Sequence, residues 1–384
     1  MTLEEKRIPY RIEKVNMRCY GEKTPSFLRM QPSGNIPVAV IDGTIYNQSN
    51  DIMYALEQIF PESKKLLPPI ENEQLRMKAQ QLLRLERTVF SAWMYWLTGS
   101  NMSKESFIKV LREVETELSN SVGGDFFLGE DVSIVDFMFA PFLERMAASM
   151  IFFKGYQIRV APGEKTEFEA INKWFDAMEK LESYQLTKGD YYSHCWDLPP
   201  QLGGCTYENG GEPFEKCING ERTLDGSRGS WELPLEPHLG GVEPDWGWCG
   251  DEGAAKREAV ERLTVNNINI VAFAARGAGK KGMPPYMAAL SDPNATPNNS
   301  VKESVDACLR AVSIALIHDD EAKANSTIEE VVSVLSNDGG KAHVENVIAS
   351  LMYLRDRIGV PRDMRLPAAR QLRARLNWAI GKMI

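Results

Sequence analysis

Two short runs, both ahead of Phe60, bring groups capable of ligand chemistry close together in the chain. In Pro32-Ser33-Gly34-Asn35-Ile36-Pro37-Val38, a proline falls inside a β-rich apolar stretch, Ile36 to Ile41. Proline has no N–H to give to a ladder, so Pro37 belongs at a strand start or edge. A cis peptide ahead of it turns the Ile36 backbone outward. Backbone exposed there can pair with an extended peptide ligand by strand addition. The plainer alternative is a loop proline that opens a strand. The second run is Tyr46-Asn47-Gln48-Ser49-Asn50-Asp51. Ser49 is a candidate helix N-cap, and free N–H groups at a helix start attract a carboxylate. A plain cap with no ligand is the alternative.

Those runs need elements to hold them. Asp42-Gly43 is a hairpin turn signal between Ile36–Ile41 and a returning strand at Thr44–Tyr46. Tyr10 to Val15 alternates as a strand does, and Thr24 to Met30 has the look of a short helix. Ile52, Ala55, Leu56 and Ile59 share one helical face from Asn50 to Phe60, and Pro61 ends it. After the Pro68-Pro69 linker only helical patterns follow, up to about residue 190. Among them is a mostly apolar helix at Ser133–Phe152 that reads as buried. At its start, Ser133 and Asp136 have capping-box spacing, and Val132 and Phe137 are placed as a hydrophobic staple. This is a folding device for a helix start that water cannot reach.

The composition sets limits. The 384 residues are 43% apolar and 25% charged, which suits a globular chain of two or three domains. A net charge of -9 argues against a general nucleic-acid partner. No apolar run is long enough for a membrane span, and the first residues show no targeting pattern. The cysteines are Cys19, Cys195, Cys205, Cys217, Cys249 and Cys308, with no CxxC pair. His194 and His238 lie near four of them. The spacing is too loose for a structural zinc site, so no metal is expected and reduced structural thiols are the reading.

In their order and spacing these motifs resemble the glutathione transferase superfamily. The match runs through Gly34, Pro37, Asp42-Gly43, Gln48-Ser49, the Ser133–Asp136 box and the helix around Trp174 that ends in Glu182-Ser183-Tyr184-Gln185. The resemblance implies an α+β/α architecture: a partial thioredoxin-like N-terminal domain (1–64), then an all-helical domain (70–190). It implies glutathione as cosubstrate. The backbone at Ile36, before Pro37, would pair with its cysteinyl unit, and Gln48 and Ser49 would hold the γ-glutamyl carboxylate and amine. Asn35 stands where many members carry Lys. Members usually begin with a strand and a turn bearing a catalytic Cys, Ser or Tyr. Here Met1 to Tyr10 matches the end of the helix after that turn, so the first strand and the catalytic residue lie outside this sequence. A late start is the favoured explanation, and a remodelled domain is the other. Cys19 follows the second strand position and does not replace the missing residue.

Beyond residue 190 the sequence carries an irregular Gly/Pro/Trp-rich wrap with one helix (191–300) and a helical region (301–384). A similar Leu-Pro-Pro-Gln-Leu-Gly-Gly segment and tail in plant and algal members points to a plastid or cytoplasmic, intracellular protein. The last 30 residues are locally basic, which suits either an acidic partner or a face packed on an acidic body. Two functions follow. One is glutathione-dependent thiol transfer or conjugation. The other is a non-catalytic interaction module of the same fold, working as a homodimer or with a protein partner.

Overall fold

Asp42 and Gly43 both take positive φ, 49° and 82°. These are the angles a two-residue type I′ turn needs. They join β1 (Ala39–Ile41) to β2 (Thr44–Tyr46) with Ala39↔Tyr46, Val40↔Ile45 and Ile41↔Thr44 in antiparallel register. The computed structural model describes residues 1–16, 20–99, 103–161, 163–235, 242–243, 251–282, 288–318 and 321–384. They form two compact units, Met1–Glu212 and Pro213–Ile384.

The first unit also holds α1 (Thr2–Glu5) and α2 (Pro25–Met30) before the hairpin and α3 (Ser49–Ile59) after it. Thr24 caps α2 by accepting from the Phe27 N–H. Residues 10–15 are not a strand. Tyr10 and Ile12 are exposed, and no ladder partner for them exists among the described residues. Alternation alone does not make a strand when its N–H and C=O groups find no neighbour. The helical bundle follows: α4 (Glu73–Thr98), α5 (Lys104–Ser119), α6 (Ile134–Lys154), α7 (Glu169–Glu179), α8 (Glu182–Gln185) and α9 (Tyr191–Leu202). Trp93, Trp96, Phe107, Phe139, Leu143 and Trp174 are buried in its core. α6 is buried along nearly its whole length and ends at Gly155 in the left-handed conformation.

The wrap after residue 190 contains more helix than its prolines and glycines imply. Asp190 caps α9 through the Ser193 N–H, and Tyr191, Tyr192, Cys195 and Leu198 bury one face. Pro199 and Pro200 fall in the last turn, where packing outweighs the lost donors. α10 (Glu212–Ile218) comes next.

The second unit is built from α11 (Glu252–Val265), α12 (Asn267–Ala274), α13 (Lys302–Ile317), α14 (Glu321–Arg355) and α15 (Leu366–Gly381). Its apolar core includes Leu263, Val305, Cys308, Val312, Ile328, Val347, Leu351, Leu372 and Leu376. Within the helical region expected at 301–384, α14 breaks direction at Gly340, where φ is 64° and ψ is -173°. That conformation is open essentially to glycine alone. The basic C-terminal segment is largely engaged within this unit. Arg373 and Arg375 are buried, Arg365 pairs with Glu258 at 2.9 Å, and Lys382 pairs with Glu329 at 3.1 Å.

Candidate functional site

The hairpin register brings the two sequence motifs to the same end of the ribbon. Ile36 and Pro37 enter the ribbon three and two residues before Ala39, and Gln48 and Ser49 leave it two and three residues after Tyr46, the partner of Ala39. The Ile36–Pro37 peptide is cis. Ile36, Pro37, Gln48 and Ser49 are all exposed, Ile36 to 49%. Among the described residues, the Ile36 backbone has no backbone hydrogen-bond partner.

Ser49 does not cap its helix. Gln48 is the N-cap, with φ -124° and ψ 138°, and its side chain makes no capping bond. Ser49 is already helical, so its hydroxyl turns aside and donates to Asn50 Oδ1 at 3.4 Å. The first backbone bond of α3 runs from the Ile52 N–H to the Gln48 carbonyl at 2.9 Å. The N–H groups of Ser49, Asn50 and Asp51 therefore point out of the helix start, where they and the helix dipole favour an anion.

A buried ion pair that sequence reasoning did not find fixes the far end of α3. Lys6 Nζ lies 2.6 Å from Glu57 Oε1 and donates to the Lys64 carbonyl at 2.8 Å. Glu57 also accepts from the Leu66 and Leu67 N–H groups. Both side chains are buried. The only sequence signal was a Glu directly after the apolar Leu56 on the inward side of the helix, and its partner is 51 residues away.

Ser133 and Asp136 form a capping box at the start of α6. The Asp136 carboxylate accepts from the Ser133 N–H (2.8 Å), the Ser133 hydroxyl (2.7 Å), the Phe127 N–H (3.0 Å) and Trp174 Nε1 (2.9 Å). It thus joins α6, α7 and the loop before α6 at one buried point. This is structural work, and Asp136 has no opening to a ligand.

The described thiols are poorly disposed to act as nucleophiles. Burial pushes Cys205 and Cys308 up to about 12 and Cys217 up to about 11. A thiolate nucleophile needs the opposite shift. Cys19, Cys249 and His238 lie outside the described residues. Among the described residues, no cluster of three metal-ligating side chains occurs, and no helix is long and apolar enough to cross a membrane. A separate open groove of about 1220 Å³ is lined by Leu3–Tyr10, Ser63, Lys64 and Lys180–Ser183. It includes none of the four motif residues.

Two family models match parts of the chain. The model of the glutathione S-transferase N-terminal domain matches residues 1–59, and that of the glutathione S-transferase C-terminal domain matches residues 85–177. Over these two stretches the chain is similar to the N- and C-terminal domains of glutathione S-transferases. It is 26% identical over 191 residues to glutathione S-transferase DHAR2 of Arabidopsis thaliana, covering 49% of this chain and 80% of that protein. It is also 26% identical over 190 residues to a probable cytosolic glutathione S-transferase DHAR1 of Oryza sativa, again covering 49% and 80%. A third relative, the chloroplastic glutathione S-transferase DHAR3 of Arabidopsis thaliana, is 28% identical over 160 residues, covering 41% and 56%. The small sheet with its helices falls in the N-terminal match, and the C-terminal match runs from within α4 into α7.

Proposed function

We propose that this chain binds glutathione at the open end of the β1–β2 ribbon and uses it for thiol transfer or conjugation. The observation that carries this reading is that exposed Ile36–Pro37 and exposed Gln48–Ser49 flank the open end of the β1–β2 ribbon, the latter at a helix start with no side-chain cap. The free backbone at Ile36 suits the cysteinyl amide of an extended tripeptide. The unbonded N–H groups of α3, with the Ser49 hydroxyl, suit the γ-glutamyl carboxylate. The fold adds nothing to reactivity by itself. The site contributes binding and orientation of the tripeptide, and the second substrate is left open. Relatives in both the cytosol and the chloroplast fit a cytoplasmic or plastid setting.

Titration calorimetry with reduced glutathione tests this. One site per chain is expected, and Ser49→Ala should weaken it by about tenfold, the value of a hydrogen bond to a charged group. A folded chain that releases no heat with glutathione, and that holds a stable protein partner, would replace this reading with the interaction-module one.

A further inference from the structure

Between the two halves of the candidate site lies a buried side chain that neither motif contains. Gln31 is the residue after α2, and it is only 6% exposed. Its backbone N–H closes the helix on the Phe27 carbonyl at 2.9 Å, and its own carbonyl accepts from the Gly34 N–H at 2.9 Å. Its side chain faces both motifs. Gln31 Oε1 accepts from the Ser33 hydroxyl at 2.9 Å, and Ser33 Oγ in turn accepts from the Asn35 N–H at 3.4 Å. Gln31 Nε2 donates to the Asn47 carbonyl at 3.5 Å. Asn35 directly precedes Ile36, and Asn47 directly precedes Gln48-Ser49. One amide therefore ties the turn that presents the Ile36 backbone to the loop that starts α3.

We propose that Gln31 is a positioning residue that sets the spacing between the two half-sites for glutathione. The inference rests on the glutathione reading above. A ligand gripped at both ends gains from both contacts only when their separation matches its length, and a small misplacement costs affinity without any lost ligand contact. The amide suits the task because it offers an acceptor on one side and a donor on the other. An apolar side chain of the same length fills the space and ties neither loop.

The test is a set of glutathione titrations on the full chain. Gln31→Met removes both links while keeping the volume. Ser33→Ala cuts only the link to the turn, and it does so at an exposed residue, so the fold is not at risk. Each should weaken glutathione by about fivefold, the size of one net hydrogen bond, with the thermal unfolding of Ser33→Ala unchanged. The decisive readout is the double variant Gln31→Met/Ser49→Ala. If Gln31 acts through the separation of the half-sites, the two losses do not multiply, because a chain already out of register has less to lose at Ser49. Ser133→Ala, a purely structural change at the α6 start, should leave the affinity alone. If Ser49→Ala weakens binding while Gln31→Met and Ser33→Ala do not, or if the losses multiply fully, the positioning role is wrong and the site reading stands. If the folded chain binds no glutathione, or Ser49→Ala has no effect, the site reading fails and this inference fails with it.

Discussion

Glu86 sets up a pH dependence that runs against the usual direction for a carboxylate. It sits in the middle of α4 at 0% exposure, and neither carboxylate oxygen has a hydrogen-bond partner among the described residues. Arg87 Nε is 3.2 Å away, but that side chain is 56% exposed and spends its charge on water. Burial, partly offset by Arg87, raises the Glu86 carboxyl from 4.5 to about 7. The folded chain therefore holds a proton between pH 4.5 and 7 that the unfolded chain has released. Stability falls as pH rises through this window and is level above it. At about 1.4 kcal/mol per tenfold change in proton affinity, the loss comes to about 3 kcal/mol. Glu86→Gln keeps the shape and cannot ionise. Its stability relative to the natural chain should rise by about 3 kcal/mol between pH 4.5 and 8, whatever the amide itself costs. Urea unfolding followed by tryptophan fluorescence reads this out, since Trp93 and Trp96 lie buried on the same helix. Parallel pH curves for the two chains, or a gap that closes as pH rises, would refute the reasoning.

Three further outcomes follow from the same structure. Lys6→Met strands the Glu57 carboxylate in the interior, so it should destabilise the chain by about 3–5 kcal/mol in thermal unfolding, and adding Glu57→Gln should recover part of that loss. A Cβ at Gly277 would lie 2.3 Å from the Ala349 carbonyl, whereas one at Gly340 meets open space. Gly277→Ala should thus cost more in unfolding midpoint than Gly340→Ala, whose strained backbone costs on the order of 1–3 kcal/mol. Cys308, fully buried and with its thiol pushed up to about 12, should resist iodoacetamide at neutral pH and react once urea unfolds the chain.

Much of the site could be read from residue order because it depends on local chemistry. Asp42-Gly43 dictates a two-residue turn, and that turn dictates the register of Ala39–Ile41 against Thr44–Tyr46. The capping box was legible for the same reason: Ser133 and Asp136 are three residues apart, and the helix needs its first N–H groups satisfied. What could not be read depends on distant partners. The contact of Lys6 with Glu57 has no local trace. Tyr10–Val15 alternates like a strand, but a strand also needs a neighbour, and alternation says nothing about one. The Ser49 cap was misplaced by one residue, within the ordinary slip of helix boundaries. The stretch that forms α9 reads as part of an irregular Gly/Pro/Trp-rich wrap because propensity is local, whereas the burial of Tyr191, Cys195 and Leu198 is not.

The central claim, that glutathione lies across the open end of the β1–β2 ribbon, is tested most directly by amide hydrogen exchange on the full chain with and without saturating glutathione. The Ser49, Asn50 and Asp51 N–H groups have no partner within the helix and should exchange freely in the unliganded chain. Glutathione should slow exchange in peptides covering Ser49–Asp51 and the Ile36 region together. Protection confined to the groove between Leu3–Tyr10 and Lys180–Ser183, or glutathione binding that leaves both segments unchanged, would contradict the account.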